Sequence, residues 1–373
     1  MTPKERVHAA LRREPVDRVP VFMWYHPQTA RRLADLLEVP ASRIAAAMGD
    51  DVRMTWVNNN YAMEGIVHEH EGESHVDEWG IRWVKEGAFN QPVGFPLAGA
   101  SRDEMLAHAF PEDRIDFLLG LMRPVLEEKE GFFIGCDVSP CVFEMYWRLR
   151  GMENALIDMA GDPELTRAMF AKCAHFALEL SRRACAEMPL DWLWCGDDVA
   201  GQDSMIMSPG LWRDMIKPLM AELFAAAKER HLWVAHHCCG ALRPIIPDLI
   251  EIGLDLLNPI QSGCAGMDPL ELKREFGESL AFIGGVDTQA LLPFGTAVQV
   301  RTTAERLLEG MTAPVGGRGA GGYILAASHT IPPETPDENI FALYAAAGIT
   351  REEIFERASA IRNRIKAKAR KYQ

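Results

Sequence analysis

Two histidines and two cysteines stand in a row, His236, His237, Cys238 and Cys239, at the end of the apolar run Leu232-Trp233-Val234-Ala235 and just before Gly240. Imidazole and thiolate are the ligands zinc prefers, and a turn after a strand is where a metal can be reached. In an extended strand successive side chains point to opposite faces. His237 and Cys239 therefore share one face, and His236 and Cys238 share the other. Alternation alone does not say which pair faces a site and which packs. A His-x-Cys pair is two ligands, whereas catalytic zinc usually keeps three protein ligands and an open position. His329, at the end of the last apolar run, is the best third ligand, with Cys264, Asp197 and Asp287 as rivals.

The elements that must position these groups follow a regular pattern. Apolar runs at 19–25, 51–56, 132–137, 191–198, 232–240, 254–259, 280–287 and 323–329 alternate with helical patterning from residue 114 onward. Thr2-Pro3-Lys4-Glu5 supplies an N-cap and an N1 proline for an opening helix. Continuous apolar strands separated by helices predict a parallel sheet covered on both faces. Eight strands favour a closed (β/α)8 TIM barrel, one domain spanning 1–373, over an open doubly wound sheet. Residues 58–99 change character, with short alternating runs such as Gly80-Ile81-Arg82-Trp83-Val84, and predict an N-terminal β-hairpin insertion. His68, His70 and His75 lie there without zinc-motif spacing and are read as hairpin surface. The glycine-rich loop 316–322 enters a strand rather than leaving one, which argues against a phosphate-binding loop.

The formal charge of -14 opposes binding to nucleic acid or to an anionic membrane. No apolar run approaches the ~20 residues of a membrane span. The eight cysteines sit in apolar segments behind a polar amino terminus, which predicts a cytoplasmic protein with free thiols. Oligomeric state is not fixed by these features, and a homodimer stays open. Active sites of such barrels form at the carboxyl ends of the strands. There this chain places Asp137, Cys195, Asp197, Asp198, the His-Cys row, Asn258, Gln261, Asp287, Gln289, Ser328 and His329. Such crowding of polar groups on one rim is costly for a purely structural barrel and predicts an enzyme. Asp197 and Asp198 have a competing reading as caps of the next turn.

His-x-Cys-Gly at 237–240, Pro247-Asp248-Leu249-Ile250, Asn258-Pro259-Ile260-Gln261, Met267-Asp268-Pro269, Gly284-Gly285-Val286-Asp287-Thr288-Gln289 and Pro336-Asp337-Glu338-Asn339-Ile340 resemble the uroporphyrinogen decarboxylase superfamily. The resemblance covers essentially the whole chain. Its spacing to Gly240 selects His237 and Cys239 as the inward pair. The superfamily joins the decarboxylase to cobalamin-dependent methyltransferases, and two departures divide them. The decarboxylases carry an Arg-Gln-Ala-Gly-Arg segment after the first strand, where this chain has Met23-Trp24-Tyr25-His26-Pro27-Gln28. The zinc methyltransferases place a third cysteine in a Gly-Cys-Gly-Ile-Pro-like segment, where this chain has Ser328-His329-Thr330-Ile331-Pro332. Segments 143–154 and 195–199 are similar to O-demethylase-type methyltransferases.

The resemblance thus implies a methyltransferase moving a methyl group between a small methylated substrate, such as a methyl ether or thiol, and a corrinoid protein. Zinc would sit on His237, Cys239 and His329. Asp197 or Glu144 would orient substrate or handle a proton, and Asp198, Gln261, Asp287 and Tyr25 would line the pocket. An Asp-x-His-x-x-Gly cobalamin loop is absent, so the corrinoid is expected on a partner. The alternatives are a metal-free decarboxylase of tetrapyrrole biosynthesis and a non-catalytic protein that binds a tetrapyrrole or a corrinoid partner.

Overall fold

The computed structural model describes residues 1–58, 68 and 70–371, with side chains described to residue 367. Seven strands form one parallel sheet in the order β1 (Val52–Trp56), β5 (Phe133–Asp137), β6 (Trp192–Gly196), β7 (Trp233–His237), β8 (Leu256–Ile260), β9 (Ala281–Val286) and β10 (Tyr323–Ala327). Between β1 and β5 a separate antiparallel sheet contains β2 (Ser74–Val76), β3 (Arg82–Glu86) and β4 (Phe89–Gly94). This is the expected hairpin insertion; residues 59–67 and 69 of the 58–99 span lie outside the described residues.

Every residue of β5, β6, β8, β9 and β10 is buried, which is why these strands read as continuous apolar runs rather than alternating ones. The two-residue period is still present, because alternate side chains join different cores. Phe133, Trp192, Trp194, Ala235, Leu256, Ala281, Ile283, Ile324 and Ala326 fill the barrel interior. Ile134, Leu193, Cys195, Val234, Leu257, Phe282 and Leu325 pack outward in the surrounding core. The helix Pro3–Arg12, started by a Thr2/Glu5 capping box, inserts Val7 and Leu11 into the interior cluster and plugs one end.

The first expected strand, 19–25, is corrected. It makes only two isolated bridges, Val21 to Leu325 and Tyr25 to Ile331. Pro20 has no N–H to give a ladder, so it only accepts, from Leu325 N–H at 2.9 Å. On the other edge the Val21 amide donates to the Asp51 side chain at 2.8 Å, while Asp51 N–H donates to Val21 C=O at 2.8 Å. The segment therefore takes the eighth position, between β10 and β1, through sparse bonds. Asp51 is fully buried there and also accepts from Arg6 (2.5 Å) and Arg18 (2.7 and 3.0 Å).

One predicted helix also breaks. The span 208–230 divides into Pro209–Met215 and Lys217–Lys228, because Pro218 cannot supply the amide that would carry the ladder through Ile216. No helix among the described residues is long and apolar enough to cross a membrane.

Outside the barrel Tyr25, Tyr344 and Asp50 form a buried hydrogen-bonded chain. Burial pushes the Asp50 carboxyl up to about 7, against the hydrogen bond from Tyr344. The folded state thus holds a proton that the unfolded chain releases near pH 4. Stability contributed by this group is full below about pH 4 and is lost as pH rises through about 7. Asp50→Asn keeps an acceptor for Tyr344 and removes the titration. The slope of unfolding free energy against pH between 5 and 8, from urea titrations, is expected to be less negative in the variant than in wild type.

Candidate metal centre

Strand β7 delivers the row of ligands, and the inward period decides their fates. Trp233, Ala235 and His237 point to the interior side, and Cys239 continues that parity beyond the strand end. His236 and Cys238 point outward and are buried: His236 lies edge-on to Phe224 at 6.0 Å, and Cys238 accepts from Val199 N–H at 3.4 Å. His329 arrives from the loop after β10. The ligand atoms of His237, Cys239 and His329 all lie within 4.8 Å of one another.

The donor set fits a zinc ion. His237 Nε2 and Cys239 Sγ are 3.5 Å apart. Tetrahedral angles with Zn–S near 2.3 Å and Zn–N near 2.0–2.1 Å require an N···S edge of about 3.6 Å. The other nitrogen of His237 is committed, with Nδ1 2.6 Å from Asn258 Oδ1. The amide oxygen can only accept, so Nδ1 carries the proton and Nε2 presents its lone pair to the cluster. Burial pushes His329 down to about 4, so its imidazole is neutral at pH 7 and free to ligate. Burial pushes the Cys239 thiol up, so it keeps its proton until a cation compensates. Gly240 closes the turn with φ +92°, where a Cβ would sit 2.4 Å from Gly201 O. Gly240 N–H donates to the Gln261 side chain at 3.1 Å.

Beside the triad lies a cavity of about 430 Å³. Trp24, Trp56 and Trp194 line its barrel side; Trp83, Phe89, Asn90, Gln91 and Pro92 come from the hairpin insertion. Glu144, Trp147 and Arg148, from the helix Phe143–Arg150, complete the wall with Asp137, Ser139, Gly196 and Asp198. Glu144 and Arg148 are ion-paired one helical turn apart, both nearly buried. Asp198 accepts from Cys239 N–H at 2.8 Å, and its Oδ1 lies 4.0 Å from His237 Nε2. Gly196 makes space here: a Cβ on it would meet Ser139 Oγ at 2.3 Å.

Of the residues singled out in the sequence, Asp137, Glu144, Asp198, His237 and His329 line this cavity, and Cys239 joins them through the triad. Four others are placed elsewhere. Asp197 has the outward parity and accepts from the amides of Val142, Phe143 and Glu144, so its carboxylate satisfies a helix start. Burial pushes it up to about 7. Asp287 likewise accepts from the amides of Gln289, Ala290 and Leu291. Gln261 orders the Gly240 turn. Tyr25 faces away because Trp24, its neighbour, takes the inward position. The rival ligand Cys264 is buried outside the triad. Sequence reasoning missed the tryptophans, Asn90 and Arg148. Strand parity could have found Trp56 and Trp194; nothing local marks Trp83, whose wall exists only once the insertion folds over the barrel mouth.

Asn258 orients His237 through Nδ1, the nitrogen that does not face the other two ligands. Replacing a partner of this kind typically costs 10- to 100-fold in metal affinity. Asn258→Leu is expected to weaken zinc binding by about that factor in a competition titration against a chromophoric chelator.

The sequence model of the family described as uroporphyrinogen decarboxylase (URO-D) matches residues 99–348. The uroporphyrinogen decarboxylases of two Thermus thermophilus strains are each 27% identical over 250 residues, 66% of this chain and 67% of theirs. Methylcobamide:CoM methyltransferase MtaA of Methanosarcina barkeri is 25% identical over 364 residues, covering 92% of this chain and 97% of its own. A solved structure of a methyltransferase from Methanosarcina mazei superposes with a TM-score of 0.65 at 21% identity, covering 93% of this chain and 98% of that one, and shares the fold. The barrel, the motifs on its rim and these matches agree: the chain belongs to the uroporphyrinogen decarboxylase (URO-D) family, and its relatives include the family's cobalamin-dependent methyltransferase branch.

Proposed function

We propose that this protein is a methyltransferase that moves a methyl group between a small methylated substrate and a corrinoid carried by a separate protein. The observation that carries the reading is the His237/Cys239/His329 triad at the cavity, with Asn258 fixing the tautomer of His237. The full-length similarity to an enzyme named for methylcobamide and CoM supports it. His237, Cys239 and His329 would hold zinc, which when bound supplies Lewis acidity to an acceptor thiol or to the leaving oxygen of a methyl ether.

The chain's own residues do the rest. The buried aromatic walls exclude water from the reacting atoms. Asp198, within 4.0 Å of His237 Nε2, stands where it can receive a proton from a group arriving at the triad. Glu144 is held in place by Arg148, and burial raises its carboxyl, so it can also take up a proton beside the substrate.

Metal content tests the reading directly. Protein purified without chelator is expected to carry about one zinc per chain, with His237→Ala and Cys239→Ser near background by plasma mass spectrometry. Wild type at the variants' level would overturn the zinc assignment.

Decarboxylation of a porphyrinogen fits the cavity poorly. A substrate bearing eight carboxylates calls for cationic clamps. The cavity offers Arg148, already neutralised by Glu144, beside Asp137 and Asp198. Incubation with uroporphyrinogen under reducing conditions is expected to leave it unchanged by chromatography. Appearance of decarboxylated product would reverse the ranking.

A further inference from the structure

The inner end of the cavity is chemically different from the triad. Asp137 is 1% exposed, yet it lines the cavity, and its Oδ2 is buried with no well-aligned hydrogen bond, its polar neighbours being the side chains of Ser139 and Trp56. Its Oδ1 accepts from Ser139 N–H at 2.8 Å, and Ser139 Oγ lies beside the same carboxyl on the cavity wall. A carboxylate oxygen left bare in an apolar chamber is costly unless something comes to meet it. Arg148 does not do so, because its charge is met by Glu144 and its guanidinium lies over Trp83 and Trp147, 5.7 and 5.8 Å from their ring centres.

What surrounds Asp137 is tryptophan. In the sheet register Trp56 pairs with Asp137, and Asp137 pairs with Trp194, so the carboxyl sits between two indoles in one row. Trp24 closes the third side, 5.8 Å from Trp56 and 5.2 Å from Trp194 between ring centres. Trp24 is also 5.7 Å from the His237 ring, so the box opens toward the triad. The indole face carries negative electrostatic potential and attracts cations, above all alkylated ammonium groups that cannot be fully hydrated. An anion would meet indole rings and an acid group whose ionised form repels it. A neutral molecule without a hydrogen-bond donor would gain nothing from Asp137.

We propose that the Trp24/Trp56/Trp194 box, with Asp137 at its back and Ser139 beside it, binds the ammonium group of a small organic cation, which is the substrate of the triad. The assignment rests on the methyl-transfer reading above and names the substrate class within it: an amine or quaternary ammonium compound whose far end reaches the metal ligands. The register fixes the reach. His237 pairs with Gly196, two residues beyond Trp194 on β6. That is a separation of about 6.6 Å along the strand, the span of a short aliphatic chain.

Binding is measured on the full chain after chelator treatment, so that neither zinc nor methyl transfer enters the result. The probes are choline, its uncharged isostere 3,3-dimethylbutan-1-ol, and the anion 2-mercaptoethanesulfonate, followed by tryptophan fluorescence and calorimetry. Choline is expected to bind about 10-fold or more tightly than the isostere, the scale of a desolvated cation–π contact, with no binding of the sulfonate. Asp137→Asn is expected to cut choline affinity about 10-fold while leaving the isostere unchanged, a selectivity that a general loss of packing would not produce. Trp56→Leu should act in the same direction. Equal or tighter binding of the isostere or the sulfonate to wild type overturns the proposal, and that comparison needs no variant to fold. Wild type that carries zinc but shows no preference for the cation removes the substrate class alone. A cation preference without zinc in the purified protein removes the methyl-transfer reading and leaves the box.

Discussion

In a parallel barrel each strand must send alternate side chains inward, and nothing in the chain can negotiate that period. This one constraint sorts most of the polar residues on the rim. Trp194 and Asp198 face the cavity while Cys195 and Asp197 face the helices. Trp24 faces inward and Tyr25 outward. His237 and Cys239 reach the centre while His236 and Cys238 are walled off. A one-residue slip in any strand would exchange these sets and dissolve the site.

The fold tolerates several buried carboxyl groups by giving them different work. Asp51 accepts from two arginines and a backbone amide, and it joins the segment 20–26 to the first regular strand where Pro20 weakens the ladder. Asp197 takes three amides at the start of a helix. Both are paid in hydrogen bonds. Asp137 differs in its place: its Oδ2, like that of Asp50, has no well-aligned hydrogen bond, but it lies on the cavity wall. Burial pushes its carboxyl up to about 8, the response of an acid group that lacks a compensating charge. The contrast separates carboxyl groups that hold the barrel together from one whose surroundings suit a ligand.

The insertion is part of the same logic. A barrel rim alone is open to water, and β3 and β4 bring Trp83, Phe89 and Asn90 over it. Trp83 is fully buried, with its indole N–H donating to Asp77 at 2.8 Å, so the wall is a packed structure rather than a loose flap. The cavity is accordingly shared between two sheets of opposite construction, with the carboxyl ends of the parallel strands presenting the triad and the antiparallel hairpins carrying much of the wall.

The sequence by itself pointed to the barrel and the hairpin insertion, which are legible because strand period, helix caps and turn signals are local properties. Ligand type drew attention to the His-Cys row and to His329, the family resemblance chose His237 and Cys239, and the tertiary structure brought the three within 4.8 Å. The sequence also placed Glu144 and Asp198 near the site. It did not distinguish Asp198 from Asp197, or Trp24 from Tyr25, because neighbouring residues differ only in parity and parity needs a register. The regular first strand it suggested gave way to a sparse seam once Pro20 and the Asp51 side chain met. Asn258 behind His237, the Glu144–Arg148 pair and the tryptophan box around Asp137 were decided by tertiary structure alone. Each joins residues from different strands, helices or hairpins, and only the closure of the barrel brings their side chains within hydrogen-bonding or ring-contact distance.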